Sequence, residues 1–511
     1  MFTLSLAVFV CAYFAKFKYC CIFVAFFIRY NMAEIIGRLT EKEELMQLYR
    51  SEKAEFVAVY GRRRVGKTYL IREMFQDKMT FYHTGLSPFD NEKKVAKNDQ
   101  LQHFYRSLQQ YGMSESACPE NWLQAFYMLE DLLSDLDDGS RQVVFIDELP
   151  WMDTPRSGFL TAFEAFWNGW GAGRDNLLLI VCGSATSWMQ DNLCNNKGGL
   201  FDRLTYEIKL LPFTLRECEM FFKSRQVEIS RYDIVQAYMA FGGIPYYLGF
   251  FKKGLSLAQN VDLMAFSKNA KLKLEFQRLF GSLFINSEDY VKVVKLLSTK
   301  HCGFSRDDIA AKIGMKSGSQ LTKILSALEA SDFIVHYKPI DANRGETLYR
   351  LVDPFCLFYL KFMDNVVETD TRFWQNNLNA PALNVWRGLS FEEVCMSHIE
   401  QIKVKLGISG IASTQATWTL RSDENHDGTQ MDLIIIRTDN VVNLCEIKFL
   451  QNEFVIDKDY DRILRRRIMA LQEKLRKTQN VHTTFVTTFG VKYNAYSGIV
   501  QKEIVMDDLF V

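Results

Sequence analysis

The sequence predicts a multidomain α/β protein, and three observations carry that expectation. The octapeptide Gly61-Arg62-Arg63-Arg64-Val65-Gly66-Lys67-Thr68 fits G-x-x-x-x-G-K-[ST] between a strand-like run and a helical one. Further along, Arg141 to Glu148 reads as a short buried strand ending in two carboxylates. Near the C-terminus, Asp432 and Glu446-x-Lys448 fall in an αβββαβ order of elements. At 511 residues the chain is too long for one ordinary core, so roughly two to four domains are expected.

Composition narrows the class. Hydrophobic residues at 48% and charged residues at 24% are globular values. Lys+Arg and Asp+Glu balance at 61 each, so no global field draws the chain to nucleic acid or membrane, and any such contact must be local. The eleven cysteines form no C-x-x-C pair and the seven histidines give no zinc-like spacing, which suits reduced thiols in a cytoplasmic protein. Residues 1–31 are apolar but interrupted by Lys16 and Lys18, and neither run reaches the ~18 residues of a membrane span. The expected reading is a misplaced start with Met32 as the true one; a membrane anchor or degenerate signal is the alternative.

The first domain, 32–213, is built around the octapeptide. Phe56 to Tyr60 leads in as a strand and Tyr69 to Phe75 leads out with helical spacing, the setting a phosphate-cradling P-loop needs. Gly61 and Gly66 permit the tight turn, so that backbone N–H groups of the whole loop, Val65 included, point at phosphate oxygens. Lys67 is expected on the β- and γ-phosphates and the Thr68 hydroxyl on Mg²⁺. Arg62, Arg63 and Arg64 either help draw in the nucleotide or form a solvated loop. Asp147 is expected to hold Mg²⁺ and Glu148 to act as general base on water. A third strand, Leu177 to Cys182, ends at Gly183-Ser184, where Ser184 is either a γ-phosphate sensor or a helix cap. Arg203, before the strand Tyr206 to Leu211, is either an arginine finger or a structural ion pair.

The middle of the chain reads as a helical lid, 214–286, with Leu215, Cys218, Phe221 and Phe222 on one face and a break at Gly242-Gly243-Ile244-Pro245. Over 287–352, helices at Tyr290 to Ser298, Ser305 to Ile313 and Ser317 to Ala330 precede a hairpin of Phe333 to Pro339 and Thr347 to Val352. Three helices and a wing form the winged-helix pattern. Its third helix offers Lys316, Ser317, Ser319, Gln320 and Lys323 to DNA, or serves a protein partner. A linker, 353–385, follows.

In the last domain, 386–511, a helix Phe391 to Val404 precedes strands at Thr414 to Leu420, Met431 to Arg437 and Val441 to Phe449, a helix Tyr460 to Lys477 and a strand Thr483 to Thr488. E-x-K alone is a weak signal, since Glu207-Ile208-Lys209 matches it too. Period two places Glu446 and Lys448 on one face, where with Asp432 they suit a metal-dependent phosphodiester nuclease. Asp432 and Glu446 would bind Mg²⁺, and Lys448 would orient or deprotonate the nucleophile. The helix carries Arg462, Arg465, Arg466, Arg467, Lys474, Arg476 and Lys477, either for a phosphate backbone or as a solvated face.

Several of these motifs together resemble the AAA/STAND-like P-loop ATPases of archaea and some bacteria. The likeness rests on Ile36-Gly37-Arg38, Tyr60 through Thr68, Ile146-Asp147-Glu148-Leu149-Pro150-Trp151, Gly183-Ser184, Leu210-Leu211-Pro212-Phe213 and Gly242 through Tyr247. The resemblance implies a P-loop NTPase sheet, a helical lid, a winged helix and a restriction-endonuclease-like C-terminal domain. It also implies ATP binding and hydrolysis. The C-terminal order is similar to the PD-(D/E)xK nuclease fold, with Asp432, Glu446 and Lys448 on its motif, Met431 in place of the proline, and Glu393 as the first-helix acid. The expected function is a Mg²⁺-dependent ATPase coupled to DNA-facing domains, with a homo-oligomer as a further partner. The alternatives are a nucleotide-gated DNA- or protein-binding scaffold, and an ATP-regulated nuclease of mobile-element or defence systems.

Overall fold

Five short apolar runs form one parallel sheet, because strands covered by helices on both faces need no polar side. They are β1 (Glu55–Tyr60), β2 (Met79–Thr84), β3 (Gln142–Asp147), β4 (Leu177–Gly183) and β5 (Tyr206–Lys209), in the order β2-β3-β4-β1-β5. Every residue of β1, β3 and β4 is buried. Alternate side chains feed two cores. Phe56, Ala58, Val144 and Ile146 pack with aromatic residues of the Trp122–Asp135 and Phe159–Gly169 helices, while Val57, Val59, Phe145 and Ile180 face the other way. Register sets Tyr60 beside Gly183 and Lys209, and Ile146 beside Val181. The loops after β1, β3 and β4 therefore open at one edge, where α/β sheets bind ligands.

The computed structural model describes residues 35–87, 97–114, 116–284, 286–338, 347–364, 370–420 and 429–511. Residues 1–31, the Met32 start and Pro339 lie outside the described residues. Among the described residues, no helix is long and apolar enough to cross a membrane.

The expected helical stretch after β5 begins with a capping box, Thr214 and Glu217, on the Leu215–Ser224 helix. It continues through the Arg231–Phe241, Pro245–Leu248, Leu257–Val261 and Glu275–Leu283 helices. The break between the second and third is forced. A Cβ on Gly243 would stand 1.9 Å from the Phe213 carbonyl oxygen, and the Gly243 carbonyl accepts the Phe213 N–H at 2.6 Å.

Helices Ser287–Leu297, Arg306–Ile313 and Ser319–Ala330 then accompany an antiparallel sheet of order β6-β8-β7, whose first strand falls between the first two helices. Its strands are β6 (Phe304–Ser305), β7 (Ile334–Tyr337) and β8 (Leu348–Leu351); the sequence reading did not anticipate β6. This unit sits on the nucleotide sheet, where Lys209 at the end of β5 pairs with Asp332 at 2.6 Å.

The C-terminal sheet has the order β13-β12-β11-β10-β9. Antiparallel β9 (Ser413–Leu420), β10 (Thr429–Arg437) and β11 (Val441–Lys448) continue into parallel β12 (Asn480–Thr487) and β13 (Lys502–Val505). Two expectations need correction. The Lys458–Lys474 helix ends before Arg476 and Lys477. The helix expected over Phe391 to Val404 is two, Pro381–Ser397 and Ile399–Leu406, broken at His398 with φ −114° and ψ 31°. The break is local, but its cause is distant. His398 Nε2 accepts the Leu215 N–H at 2.9 Å, so Nδ1 carries the proton and donates to the Val394 carbonyl at 2.8 Å.

Burial pushes the His398 pKa down to about 4. A depressed histidine contributes stability that is present above its ordinary pKa of about 6.5 and is lost as pH falls through the folded value. His398→Phe should cost about 1–3 kcal/mol at pH 7.5, because it orphans the Leu215 N–H. The gap to wild type should narrow as pH drops from about 6.5 towards 4, read by guanidinium unfolding across that range.

Candidate nucleotide site and a second acidic site

The loop after β1 takes a shape only glycine allows at its first position. Gly61 has φ 137°, and a Cβ there would meet the Leu210 carbonyl oxygen at 2.4 Å. Gly66, at φ 96°, caps the Lys67–Phe75 helix, whose N-terminus favours anions. Lys67 Nζ donates to the Gly61 and Arg62 carbonyls at 2.9 and 3.1 Å. The lysine is thus folded onto the loop it would share with a phosphate.

Four hydrogen bonds to carboxylate oxygens complete the edge. Thr68 Oγ1 donates to Asp147 Oδ2 at 2.8 Å, and the other Asp147 oxygen accepts the Glu148 N–H at 3.0 Å. Burial, then the charge of Glu148, raises the Asp147 pKa. A buried carboxylate beside a hydroxyl is a pair of oxygens that a hard cation would ligate and relieve, so Thr68 and Asp147 fit Mg²⁺. Glu148 sits at φ 48°, a left-handed conformation that costs a non-glycine residue of order 1 kcal/mol or more. Ser184 holds it there, donating its N–H at 3.0 Å to one oxygen and its Oγ–H at 2.6 Å to the other. A cavity of about 540 Å³ collects Arg63, Lys67, Thr68, Glu148 and Ser184 with the apolar Ile35, Ile36, Phe221, Pro245 and Tyr246. Those apolar residues went unrecognised as pocket walls, because they come from the segment before β1 and from the lid.

The three arginines of the loop part company. Arg63 lines the cavity, with Nη1 buried and without a hydrogen-bond partner among the described residues. Arg64 pairs with Glu275 of the lid at 2.9 Å and lies 4.0 Å over the Tyr246 ring. Arg62 is buried, pairs with Asp353 at 2.7 Å and lies over the Tyr247 and Phe333 rings. The solvated-loop reading of Arg62 is therefore corrected, since it is buried against Asp353, while Arg64 lines the same cavity as Arg63 with Glu275 as its partner. Arg203 is also displaced. It is exposed and precedes Thr205, whose N–H bonds Phe56 near the start of β1. That is four residues from Tyr60, about 13 Å at the usual strand rise, so it does not face this chain's own P-loop.

This sheet order, loop and cavity define a P-loop ATPase domain. Residues 36–251 match the model of an ATPase domain found predominantly in Archaea. The chain is 23% identical over 434 residues to an uncharacterized protein of Methanocaldococcus jannaschii, covering 84% of this chain and 90% of that one. An uncharacterized ATP-binding protein of the same organism is 39% identical over 49 residues, 10% of this chain and 83% of its own length. Among solved structures, a Walker-type ATPase of Pyrococcus abyssi aligns with TM-score 0.47 and 19% identity, covering 64% of this chain and 96% of that one.

In the C-terminal sheet, Asp432, Glu446 and Lys448 do converge. Lys448 Nζ lies 3.5 Å from a carboxylate oxygen of each, and Asp432 Oδ2 also accepts the Ile447 N–H at 3.0 Å. Burial alone would lower the Lys448 pKa, but Asp432 and Glu446 outweigh it and hold the pKa above normal. A lysine so placed is a fixed cation that can orient a group; it is a poor proton acceptor. Glu446 is fully buried, with Tyr460 donating to one oxygen at 2.8 Å and Arg467 to the other at 2.5 Å. Both oxygens are therefore taken and a guanidinium stands where a cation would. Among the described residues, no group of three or more His, Cys, Asp or Glu could hold a metal ion. As arranged, a Mg²⁺ ion at Glu446 would have to displace Arg467.

Glu393 is not the acid that faces this pair. It is buried against Arg350 of β8, with His301 Nε2 at 3.4 Å. Its neighbour Glu392 feels Asp432 and Lys448: burial first, then the Asp432 charge, raises it to about 7. The doublet was visible in sequence, but only the helix's seating decides which acid feels the charge of Asp432 and Lys448. Basic residues of the Lys458–Lys474 helix are likewise engaged, Arg462 with Asp459, Arg465 with Asp461 and Arg467 with Glu446. On the Ser319–Ala330 helix and just before it, Lys316, Ser317, Ser319, Gln320 and Lys323 are all exposed.

Removing one partner of a buried ion pair costs more than replacing both. Arg467→Met should destabilise the chain by about 3–5 kcal/mol in denaturant titrations, and Glu446→Gln on top of it should recover much of that loss.

Proposed function

We propose that this ATPase domain hydrolyses ATP and drives a change in the lid, the three-helix unit read as a winged helix, and the C-terminal domain. The observation that carries this is the Thr68–Asp147 contact beside Lys67 and Glu148 in one cavity. Lys67 would exchange its loop carbonyls for the β- and γ-phosphates, and Arg63 has a donor left for them. Thr68 and Asp147 would hold Mg²⁺, which neutralises phosphate charge when bound. Ser184 now occupies both Glu148 oxygens. When its hydroxyl turns to the γ-phosphate, one Glu148 oxygen is freed to orient the attacking water as general base, while the Ser184 N–H keeps the other.

A specific observation favours the scaffold reading of the C-terminal domain. Tyr460 and Arg467 saturate Glu446, which supports recognition of DNA or protein without cleavage in this state. The exposed Lys316 and Lys323 support a DNA-facing third helix.

Glu148→Gln should lower ATP turnover by about 100-fold or more while retaining ATP, and Lys67→Ala should lose ATP itself; phosphate-release assays and binding of a fluorescent ATP separate the two. Wild-type turnover in the Glu148→Gln protein would reject the assigned base. On the scaffold reading, the intact protein leaves supercoiled plasmid uncut with ATP and Mg²⁺; nicking that Lys448→Ala abolishes would restore the nuclease reading.

A further inference from the structure

We infer that a line of buried ion pairs running through β8 couples the P-loop to the acidic site of the C-terminal domain. The inference rests on ATP binding at the P-loop, as proposed above.

The line starts inside the loop. Arg62 and Asp353 are each 2% exposed, and their 2.7 Å contact joins the phosphate loop to the second residue after β8. Asp353 is held in place from behind, because its Oδ1 accepts the Cys356 N–H at 2.8 Å and caps the Pro354–Phe358 helix. Three residues earlier, Arg350 of β8 pairs with Glu393 of the Pro381–Ser397 helix. His301, which precedes β6 of the same unit, adds a second contact to Glu393. That helix packs on β11, and Phe391 beside the acid doublet meets Phe449 beside Lys448 at 5.2 Å between ring centroids.

The arrangement suits a switch better than a rigid strut. Arg62, Asp332, Arg350, Asp353 and Glu393 line a common cavity of about 730 Å³, which leaves the pairs room to move together. Arg62 itself supplies one of the two loop carbonyls that Lys67 now holds and that a bound phosphate would take Lys67 from. A loop that closes on a phosphate moves the Arg62 backbone, and a buried guanidinium cannot leave its carboxylate uncompensated. Asp353 and β8 must then follow, carrying Arg350 against Glu393.

Hydrogen–deuterium exchange of the full chain tests this, with and without a non-hydrolysable ATP analogue, whose binding is followed separately by titration with a fluorescent analogue. In wild type, saturating analogue should change exchange in peptides spanning 381–397 and 441–449 by about fivefold or more, the lower end of ordinary coupling between linked sites. Asp353→Asn keeps the cap acceptor but loses the charge for Arg62, and should abolish that distant change while still binding the analogue. Arg350→Met cuts the line at its other end and should abolish it too, with the response retained at 347–353. A saturated wild type whose 381–397 and 441–449 peptides do not respond, or a response that survives in either variant, overturns the inference. Failure of the titration to show any binding overturns the nucleotide reading first, and this inference with it.

Discussion

One apolar core runs through most of the molecule, and the placement of the charged groups buried at its joins depends on it. Val57 and Phe145 of the nucleotide sheet belong to the same buried cluster as Phe241 of the lid, Phe333 beside β7, Phe355, Phe391 and Ile447 of β11. Units joined by such a core do not slide past one another freely, because separating them would return that surface to water. Polar side chains caught at the joins must therefore find partners inside. Arg62 finds Asp353, Arg64 finds Glu275, Arg350 finds Glu393, and His398 bridges Leu215 and Val394.

The two acidic sites meet the same problem in the same way. Glu148 and Glu446 are each held by two donors, Ser184 through its N–H and Oγ–H in one case, Tyr460 and Arg467 in the other. In each, both carboxylate oxygens are already satisfied. The difference lies in what holds them. A serine hydroxyl rotates away at little cost, whereas an arginine paired to a fully buried carboxylate does not. That asymmetry makes the P-loop site the more readily switched of the two.

Much of this was legible in the chain. The strand and helix flanking the octapeptide, the β3 carboxylates, the glycine break in the lid and the Asp432–Glu446–Lys448 convergence each follow from short-range pattern: period two, period 3.6, or a glycine at a forced turn. Reading failed where a residue's role depends on which way an element is rotated or on which unit docks against it. Glu392 and Glu393 are neighbours with equal chemistry, and only the seating of their helix on β11 separates them. The break at His398 could not be read locally, since its cause is a backbone N–H far away in the lid. Arg203 looked available to the nucleotide only while the direction of β5 beside β1 was unknown.

The sequence by itself determined that a phosphate-binding loop stands between a buried strand and a helix, because Gly61, Gly66, Lys67 and Thr68 carry their function through backbone conformation and fixed spacing. It also determined the carboxylates at the end of β3, since an apolar strand ending in acids has few other places to be. What only the tertiary structure decided was the use of the three arginines between those glycines. Their side chains are long enough to reach phosphate, the helices after β5 or the turn after β8, and local pattern is silent on that choice. It is settled by which buried carboxylate lies within reach: Asp353 takes Arg62, Glu275 takes Arg64 at the cavity wall, and Arg63 lines the same cavity.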